Sequence, residues 1–295
     1  MAVCTGIQFE IYLDMVLLYN VCSIGQHYSN LLYEIRLPCM QISYYPLAVS
    51  EKGFIPTLEF LARLPGVRSI CEIGGGANPA LSLDFVRQHN LEYSVLDICQ
   101  QELDKASEGY HKICADITDE NLTFPCRYDL VFSQMVGEHI QSARKFHYNV
   151  FRMLSDTGIA FHFFPTLYTF PFVVNWLTPE RLSRAVLDLI APRDKYRKAK
   201  FRAYYDWCFG PTDGNIRRLE NIGYQVQQYI GFFGHGYYEE YRPVQWIHER
   251  EIDLLLKHPN PYLTSYTFLI LSRGQNGSVL TGHENDLHAL LRRSI

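Results

Sequence analysis

The segment at residues 67–79 constrains the fold of this chain more than any other part of its sequence. A short apolar run ends there at Glu72 and Ile73, and three consecutive glycines follow at 74–76. A short run with Val and Ile, bounded by glycines, is typical of a buried strand. Glycines let a backbone turn sharply and approach a ligand closely, and the apolar pattern of residues 81–86 indicates a helix. This order predicts the nucleotide-binding corner of a doubly wound α/β sheet.

The glycine spacing distinguishes between two classes of ligand. A dinucleotide-binding corner has the pattern G-x-G-x-x-G, but Pro79 stands where the third glycine is required. Residues 72–78 instead resemble motif I of the class I S-adenosylmethionine-dependent methyltransferases, roughly E-x-G-x-G-x-G. Glu72 is the acidic residue of that motif and Asn78 replaces its last glycine, a mild departure because Asn tolerates the left-handed backbone conformation.

Two further predicted strands lead to acidic residues. The strand at 91–96 is followed by Asp97, where a carboxylate can bind both hydroxyls of a ribose. The segment 113–117 resembles the third motif of the same family, which implies that Asp116 accepts from the adenine amino group while the next apolar residue packs on the ring. Two alternatives stay open, since Asp97 could cap the following helix and Asp116 could form a turn with Thr118.

A fourth predicted strand, at 128–133, completes the resemblance. It leads into residues 134–140, which are similar to the V-L-E-H-V stretch of many small-molecule methyltransferases, with Gly137 where Leu is usual. Four motifs thus occur in the family's order over about residues 66–165. The resemblance implies that S-adenosylmethionine is the cofactor, with S-adenosylhomocysteine as product. The cofactor-binding residues that it implies are Glu72, Gly74, Gly75, Gly76, Asn78, Asp97, Ile98, Asp116, Ile117, Ser133 and Gln134.

The resemblance also implies an architecture for the whole chain. We expect an α/β fold with a Rossmann-like doubly wound sheet of about seven strands, the last of them antiparallel. An N-terminal helical lid is predicted for 1–65 and the methyltransferase domain for 66–272. Inserted lid segments are predicted at about 166–210 and 231–263, and a polar C-terminal tail at 273–295.

Methyl transfer to a hydroxyl or a protonated amine requires a general base. His139 is the first candidate, because it follows the fourth strand and its ordinary pKa suits a base at neutral pH. The alternative is that Glu138 and His139 begin a helix and have a structural role. Tyr44 and Tyr45 could contact the methionine end of the cofactor or pack within the lid. Lesser candidates for the base are His162, His235, Tyr237 and Tyr238.

Charge and composition limit the partners. The 295 residues carry a formal net charge of −4, which argues against extended nucleic-acid binding. The basic segment 193–202 is either a solvated helix face or a clamp for an anionic acceptor. None of the eight cysteines forms a C-x-x-C pair, so we expect free thiols, no metal site and a cytoplasmic location. No apolar run reaches the roughly 18–20 residues of a membrane span.

The sequence therefore predicts methyl transfer from S-adenosylmethionine to an oxygen or nitrogen of a small or medium organic acceptor by an in-line SN2 displacement. A nicotinamide-dependent oxidoreductase would use the same corner and the same Asp97. A non-catalytic methyltransferase-like scaffold is the third hypothesis, since Asn78 and Gly137 depart from the family pattern. The identity of the acceptor and the oligomeric state do not follow from the sequence.

Overall fold

The structure is a computed structural model, and it describes residues 41–167, 202–238, 242–273 and 278–293. All of these residues belong to the compact unit Met40–Ile295. The expected lid residues 1–40, most of the expected insert at 166–210 and nearly all of the basic segment 193–202 lie outside the described residues. Among the helices that the structure describes, none combines the length and apolar character needed to traverse a bilayer.

Eight strands form one sheet in the order β1-β7-β8-β6-β5-β2-β3-β4. The strands are β1 (Gln41–Pro46), β2 (Ser69–Ile73), β3 (Glu92–Asp97), β4 (His111–Cys114), β5 (Tyr128–Gln134), β6 (Leu154–Pro165), β7 (Gln225–Phe233) and β8 (Tyr266–Ser272). β8 is antiparallel to β6 and β7, whereas the other neighbouring pairs are parallel. The predicted doubly wound α/β sheet with an antiparallel last strand is confirmed, with one strand more than expected.

Helices cover both faces of this sheet. They are α1 (Leu47–Ala62), α2 (Leu83–Gln88), α3 (Gln100–Leu103), α4 (Ala143–Met153), α5 (Asp213–Glu220), α6 (Arg242–Lys257) and α7 (Glu284–Arg292). One apolar core joins the sheet to α1 and α7, and the other joins it to α4 and α5. Alternate residues of a strand point to opposite faces, so that Phe161 and Phe163 enter the first core whereas Ala160 and Phe164 enter the second.

The additional strand β1 lies within the segment 1–65, for which the sequence predicted a helical lid. Residues 41–46 pair in parallel with β7, and Tyr44 stacks on Phe233 with ring centroids 5.4 Å apart. β1 lies five strand positions from β2, about 24 Å at ordinary strand spacing. The suggestion that Tyr44 and Tyr45 contact the methionine end of the cofactor is therefore wrong, because they lie at the far edge of the sheet.

The C-terminal segment 273–295 contains an amphipathic helix, α7, rather than only a polar tail. Leu287 and Leu291 are both fully buried against the core that α1 covers. His288 lies between two strands, with Nδ1 3.2 Å from Tyr45 Oη and Nε2 2.9 Å from Gln228 Oε1. The sequence predicted only a polar tail because the segment is mostly polar. The i, i+4 spacing of its two buried leucines is what makes the segment an amphipathic helix.

Candidate functional site

Two loops meet where the strand order reverses, between β2 and β5. Gly74 follows β2 with a φ of +80°, and its amide donates to Leu96 O at 2.7 Å. A Cβ on Gly74 would stand only 2.4 Å from Cγ2 of Val136, which belongs to the loop after β5. Ligands of open α/β sheets bind at such a switch point, outside the carboxyl ends of the strands.

The other glycines of the turn leave room for two carboxylates. A Cβ on Gly75 would lie 2.6 Å from the Glu72 carboxylate, and one on Gly76 would lie 3.2 Å from Asp97 Oδ2. Gly76 also has a positive φ of 47°. Asn78 is exposed and is not among the residues with positive φ. The replacement of the last motif glycine is thus tolerated because this position does not require the left-handed conformation.

Glu72 anchors the turn from inside the protein. Its carboxylate is buried and accepts hydrogen bonds from Tyr93 Oη at 2.6 Å and from the Ala80 amide at 3.1 Å. Burial is the main cause that raises the pKa of Glu72 to about 7, although both hydrogen bonds lower it. With two donors already supplied by the protein, this side chain holds the loop in the shape that the glycines allow.

Asp97 and Ile98 lie beside this turn at the end of β3. Asp97 Oδ1 accepts from the Cys99 amide at 2.8 Å, while Oδ2 is the atom that faces Gly76. The helix that follows is capped at Cys99 without a side-chain hydrogen bond, so Asp97 forms a local turn with the Cys99 amide and is not the helix cap. Ile98 is 67% exposed, which leaves its side chain accessible to a flat apolar ligand.

The segment after β4 contains Asp116 and Ile117, which were both expected to contact the adenine. Asp116 Oδ1 accepts from both the amide and the hydroxyl of Thr118, at 2.8 and 2.7 Å, which is the turn that the sequence left open as an alternative. Its carboxylate is exposed. Ile117 is buried in the core beneath α4, so the expectation that it packs on an adenine ring does not agree with its position.

The two predicted residues at the end of β5 point to different environments. Ser133 is buried, and its Oγ lies 2.8 Å from His162 Nδ1 on β6. Gln134 is exposed at the edge of the sheet. The next residue, Met135, has a left-handed φ of 54°, which non-glycine residues adopt mainly where the surrounding structure enforces it.

His139 lies in a short 3-10 helix, Gly137–His139, directly after this bend. Its Nδ1 is 3.0 Å from the carbonyl oxygen of Arg202, which requires a proton on Nδ1. Its Nε2 is 3.8 Å from Glu138 Oε1. The expected base is therefore paired with the acidic residue that precedes it.

Glu138 is the functional candidate that the sequence treated only as a helix-end charge. It is buried, with 4% of the residue exposed, and burial raises its pKa to about 7. Among the described residues, no hydrogen-bond partner reaches its Oε2. Its backbone oxygen accepts from the amides of Tyr204 and Tyr205 at 2.7 and 3.1 Å. The E-H pair in the resembling stretch was the signal available in the sequence.

The lesser candidates for the base do not lie in suitable environments. His162 is fully buried beneath the sheet edge, and burial lowers its pKa well below the ordinary value. His235 stacks on His248 at 4.1 Å, and burial lowers its pKa to about 4. Tyr237 is 56% exposed, and Tyr238 packs edge-on against His248. Within the described part of the chain, no group of three or more His, Cys, Asp or Glu residues could hold a metal ion.

Comparison with known proteins agrees with this geometry. Residues 71–162 match the family model described as "Methyltransferase domain". This segment is a class I methyltransferase domain. It contains the glycine turn, Asp97, Asp116 and the loop after β5, so the family resemblance is confirmed. The methyltransferase domain uses S-adenosylmethionine as its cofactor. No curated protein sequence matches the chain significantly.

Solved structures share the fold of this chain at low sequence identity. An O-methyltransferase from a trans-AT PKS multienzyme of Brevibacillus brevis, in complex with S-adenosylhomocysteine, is 10% identical with a TM-score of 0.50; the match covers 85% of this chain and 90% of that one. A S-adenosylmethionine-dependent methyltransferase from Mesorhizobium loti is 15% identical with a TM-score of 0.44, over 75% and 97% of the two chains.

Proposed function

We propose that this methyltransferase transfers a methyl group to an oxygen or nitrogen of a small or medium organic acceptor by in-line displacement. The observation that carries the proposal is the crevice at the switch point, where the glycine turn meets Val136 and Asp97 Oδ2 faces Gly76. S-adenosylmethionine supplies an electrophilic methyl group on sulfur when it is bound. The protein then contributes by positioning the acceptor and by moving a proton.

For the cofactor we propose one arrangement along the carboxyl ends of β2–β5. The turn at Gly74, Gly75 and Gly76 holds the methionine end, because its missing Cβ atoms leave the backbone accessible. Asp97 binds the ribose hydroxyls, and the exposed Ile98 packs on the adenine. Asp116 and Gln134 are supported by their exposure at the same edge of the sheet.

For the acceptor we propose a site beyond the loop after β5. Aromatic residues lie on that side of the sheet, among them Phe163 and Tyr266 with ring centroids 5.9 Å apart. The segment 231–263, which contributes α6, is proposed to cover the acceptor together with residues 1–65 and 166–210. The pair of Glu138 and His139 supplies the base, in keeping with their position at the end of β5.

Calorimetric titration with S-adenosylhomocysteine and, separately, with NADH tests this proposal. We expect micromolar binding of S-adenosylhomocysteine and none of NADH, because Pro79 removes the third glycine of a dinucleotide corner. Binding of NADH alone would favour an oxidoreductase. Binding of S-adenosylhomocysteine without methyl transfer to any acceptor would favour a non-catalytic scaffold.

A further inference from the structure

Glu138 has a carboxylate oxygen whose hydrogen-bonding capacity is unused by the described residues. The side chain is 6% exposed, and Oε2 has no partner among them. Leaving a buried polar atom without a partner costs roughly 1–3 kcal/mol, and more when the group is charged. A carboxylate in this position is stabilised as soon as a ligand donates an O–H or N–H to it.

The groups around Glu138 come from three separate parts of the chain. Burial raises the pKa of Tyr205 and Cys208, within the predicted insert 166–210, and of Tyr266 at the start of β8, and the charge of Glu138 adds to each rise. Tyr237, after β7, acts in the same way on both tyrosines. We call Glu138 and these four residues the acceptor chamber. Three of these four residues are tyrosines, so the walls are mainly aromatic.

The acceptor chamber adjoins the cofactor crevice. Glu138 follows Val136 by two residues, and Val136 contacts the backbone of Gly74. Two residues span at most about 7 Å of chain, so the backbone of Glu138 lies close to the glycine turn. The backbone is left-handed at Met135 and Tyr205 on either side of it, which is common where a structure holds functional groups in place.

We propose that Glu138 is the general base of the methyl transfer and that His139 positions it. The inference rests on the proposed function of this site. The acceptor donates its O–H or N–H to Glu138 Oε2. During transfer that bond breaks and the proton goes to Oε2. The acceptor's electron pair forms the new bond to the methyl carbon, and the carbon–sulfur pair stays on sulfur. His139 acts through its Nε2, 3.8 Å from Oε1, while its Nδ1 is held by Arg202 O.

This assignment narrows the class of acceptor. The reacting atom must carry a proton, as in a phenol, an alcohol or a primary or secondary amine. Acceptors whose reacting group is a carboxylate are repelled by Glu138, and tertiary amines have no proton to donate when neutral. The rings of Tyr205, Tyr237 and Tyr266 favour an aryl or other flat apolar body on the acceptor.

Methyl transfer from radiolabelled S-adenosylmethionine to a panel of phenols, alcohols, primary and secondary amines, tertiary amines and carboxylates tests the proposal. Wild type is compared with Glu138→Gln, His139→Ala and the control Glu92→Gln, which removes an exposed carboxylate at the amino end of β3. S-adenosylhomocysteine affinity is measured by calorimetry for each protein. The dependence of kcat on pH is measured between pH 5.5 and 9.

We expect Glu138→Gln to bind S-adenosylhomocysteine like wild type, to lose roughly 100- to 10,000-fold in kcat, and to lose the rise of kcat through neutral pH. His139→Ala should lose less, and Glu92→Gln nothing. A Glu138→Gln variant with wild-type kcat and pH profile would overturn the assignment, as would a larger loss in His139→Ala. Methyl transfer only to carboxylates or tertiary amines would overturn the assignment too. A wild-type protein that binds S-adenosylhomocysteine but methylates no acceptor of the panel would also overturn it. Failure of wild type to bind S-adenosylhomocysteine would instead refute the proposed function.

Discussion

Single atoms control the shape of the cofactor turn. The missing Cβ of Gly74 lets Val136 approach, and the missing Cβ of Gly75 lets the Glu72 carboxylate reach the amide of Ala80. Any side chain at these positions would compete with groups that hold the loops together. The glycines therefore join the loops after β2 and β5 as much as they admit a ligand.

Gly74→Ala should destabilise the protein by roughly 1–3 kcal/mol, since it combines a positive φ with a Cβ 2.4 Å from Val136. Urea unfolding measures the change. Gly214→Ala is the matched control, because Gly214 lies in α5 with open space around it and should be neutral or stabilising by up to about 1 kcal/mol. A Gly74→Ala protein as stable as wild type would contradict the contact between the two loops.

Asp97→Ala should weaken binding of S-adenosylhomocysteine by about 1–3 kcal/mol, the range for a lost charge-assisted hydrogen bond. Calorimetry measures the affinity, and Glu92→Ala, on the same strand but at its exposed amino end, serves as control. Normal affinity in Asp97→Ala would remove the ribose assignment. It would leave Asp97 only its contact with the Cys99 amide.

Two elements at the ends of the described chain extend the sheet and cover it. β1 adds an edge strand to β7, and α7 packs on α1 while His288 connects β1 to β7. The C-terminal helix is thus part of the fold and not an appendage.

Leu287→Ala should lower the free energy of unfolding by about 2–5 kcal/mol, because this side chain of α7 is fully buried in the core. Asn285→Ala, on the exposed face of the same helix, should change it by less than about 0.5 kcal/mol. Chemical denaturation of both variants checks the prediction. Equal stabilities would mean that α7 does not dock on the core in solution.

At the scale of the whole molecule, two buried carboxyls make stability depend on pH. The pKa values of Glu72 and Glu138 are both raised from 4.5 to about 7 in the folded protein. A carboxyl whose pKa is raised by folding contributes stability that is fully present below pH 4.5 and is lost as the pH rises through about 7. His147 acts in the opposite sense, because burial lowers its pKa to about 3 and its contribution is lost as the pH falls below its ordinary value of 6.5.

We therefore compare the free energy of unfolding of Glu138→Gln with that of wild type at two pH values. The difference should favour the variant more at pH 8.5 than at pH 4.5, by roughly 1–3 kcal/mol. Thermal unfolding at a series of pH values measures the change, and Glu92→Gln should follow wild type throughout. A difference between Glu138→Gln and wild type that stays constant with pH would show that this carboxyl is not buried in a charge-excluding environment.

The fold was largely predictable because its information is local. A strand, a glycine turn and a helix in succession, repeated at regular spacing with acids at strand ends, specify the order of β2 to β6 and the position of Asp97. β1 was missed because a six-residue strand ending at Pro46 has too little pattern to distinguish it from the start of a helical segment. α7 was missed because only Leu287 and Leu291 form the apolar face that would predict an amphipathic helix.

The sequence alone determined the cofactor class and the doubly wound sheet, since both depend on residues close together in the chain. The tertiary structure alone decided which side chains are exposed at the crevice and which are buried inside the protein. Ile117 and Ser133 proved to be buried, while Ile98 is exposed. It also buried Glu138, whose backbone oxygen accepts from the amides of Tyr204 and Tyr205. Burial and desolvation arise from residues distant in sequence, and they give a carboxylate its unusual pKa.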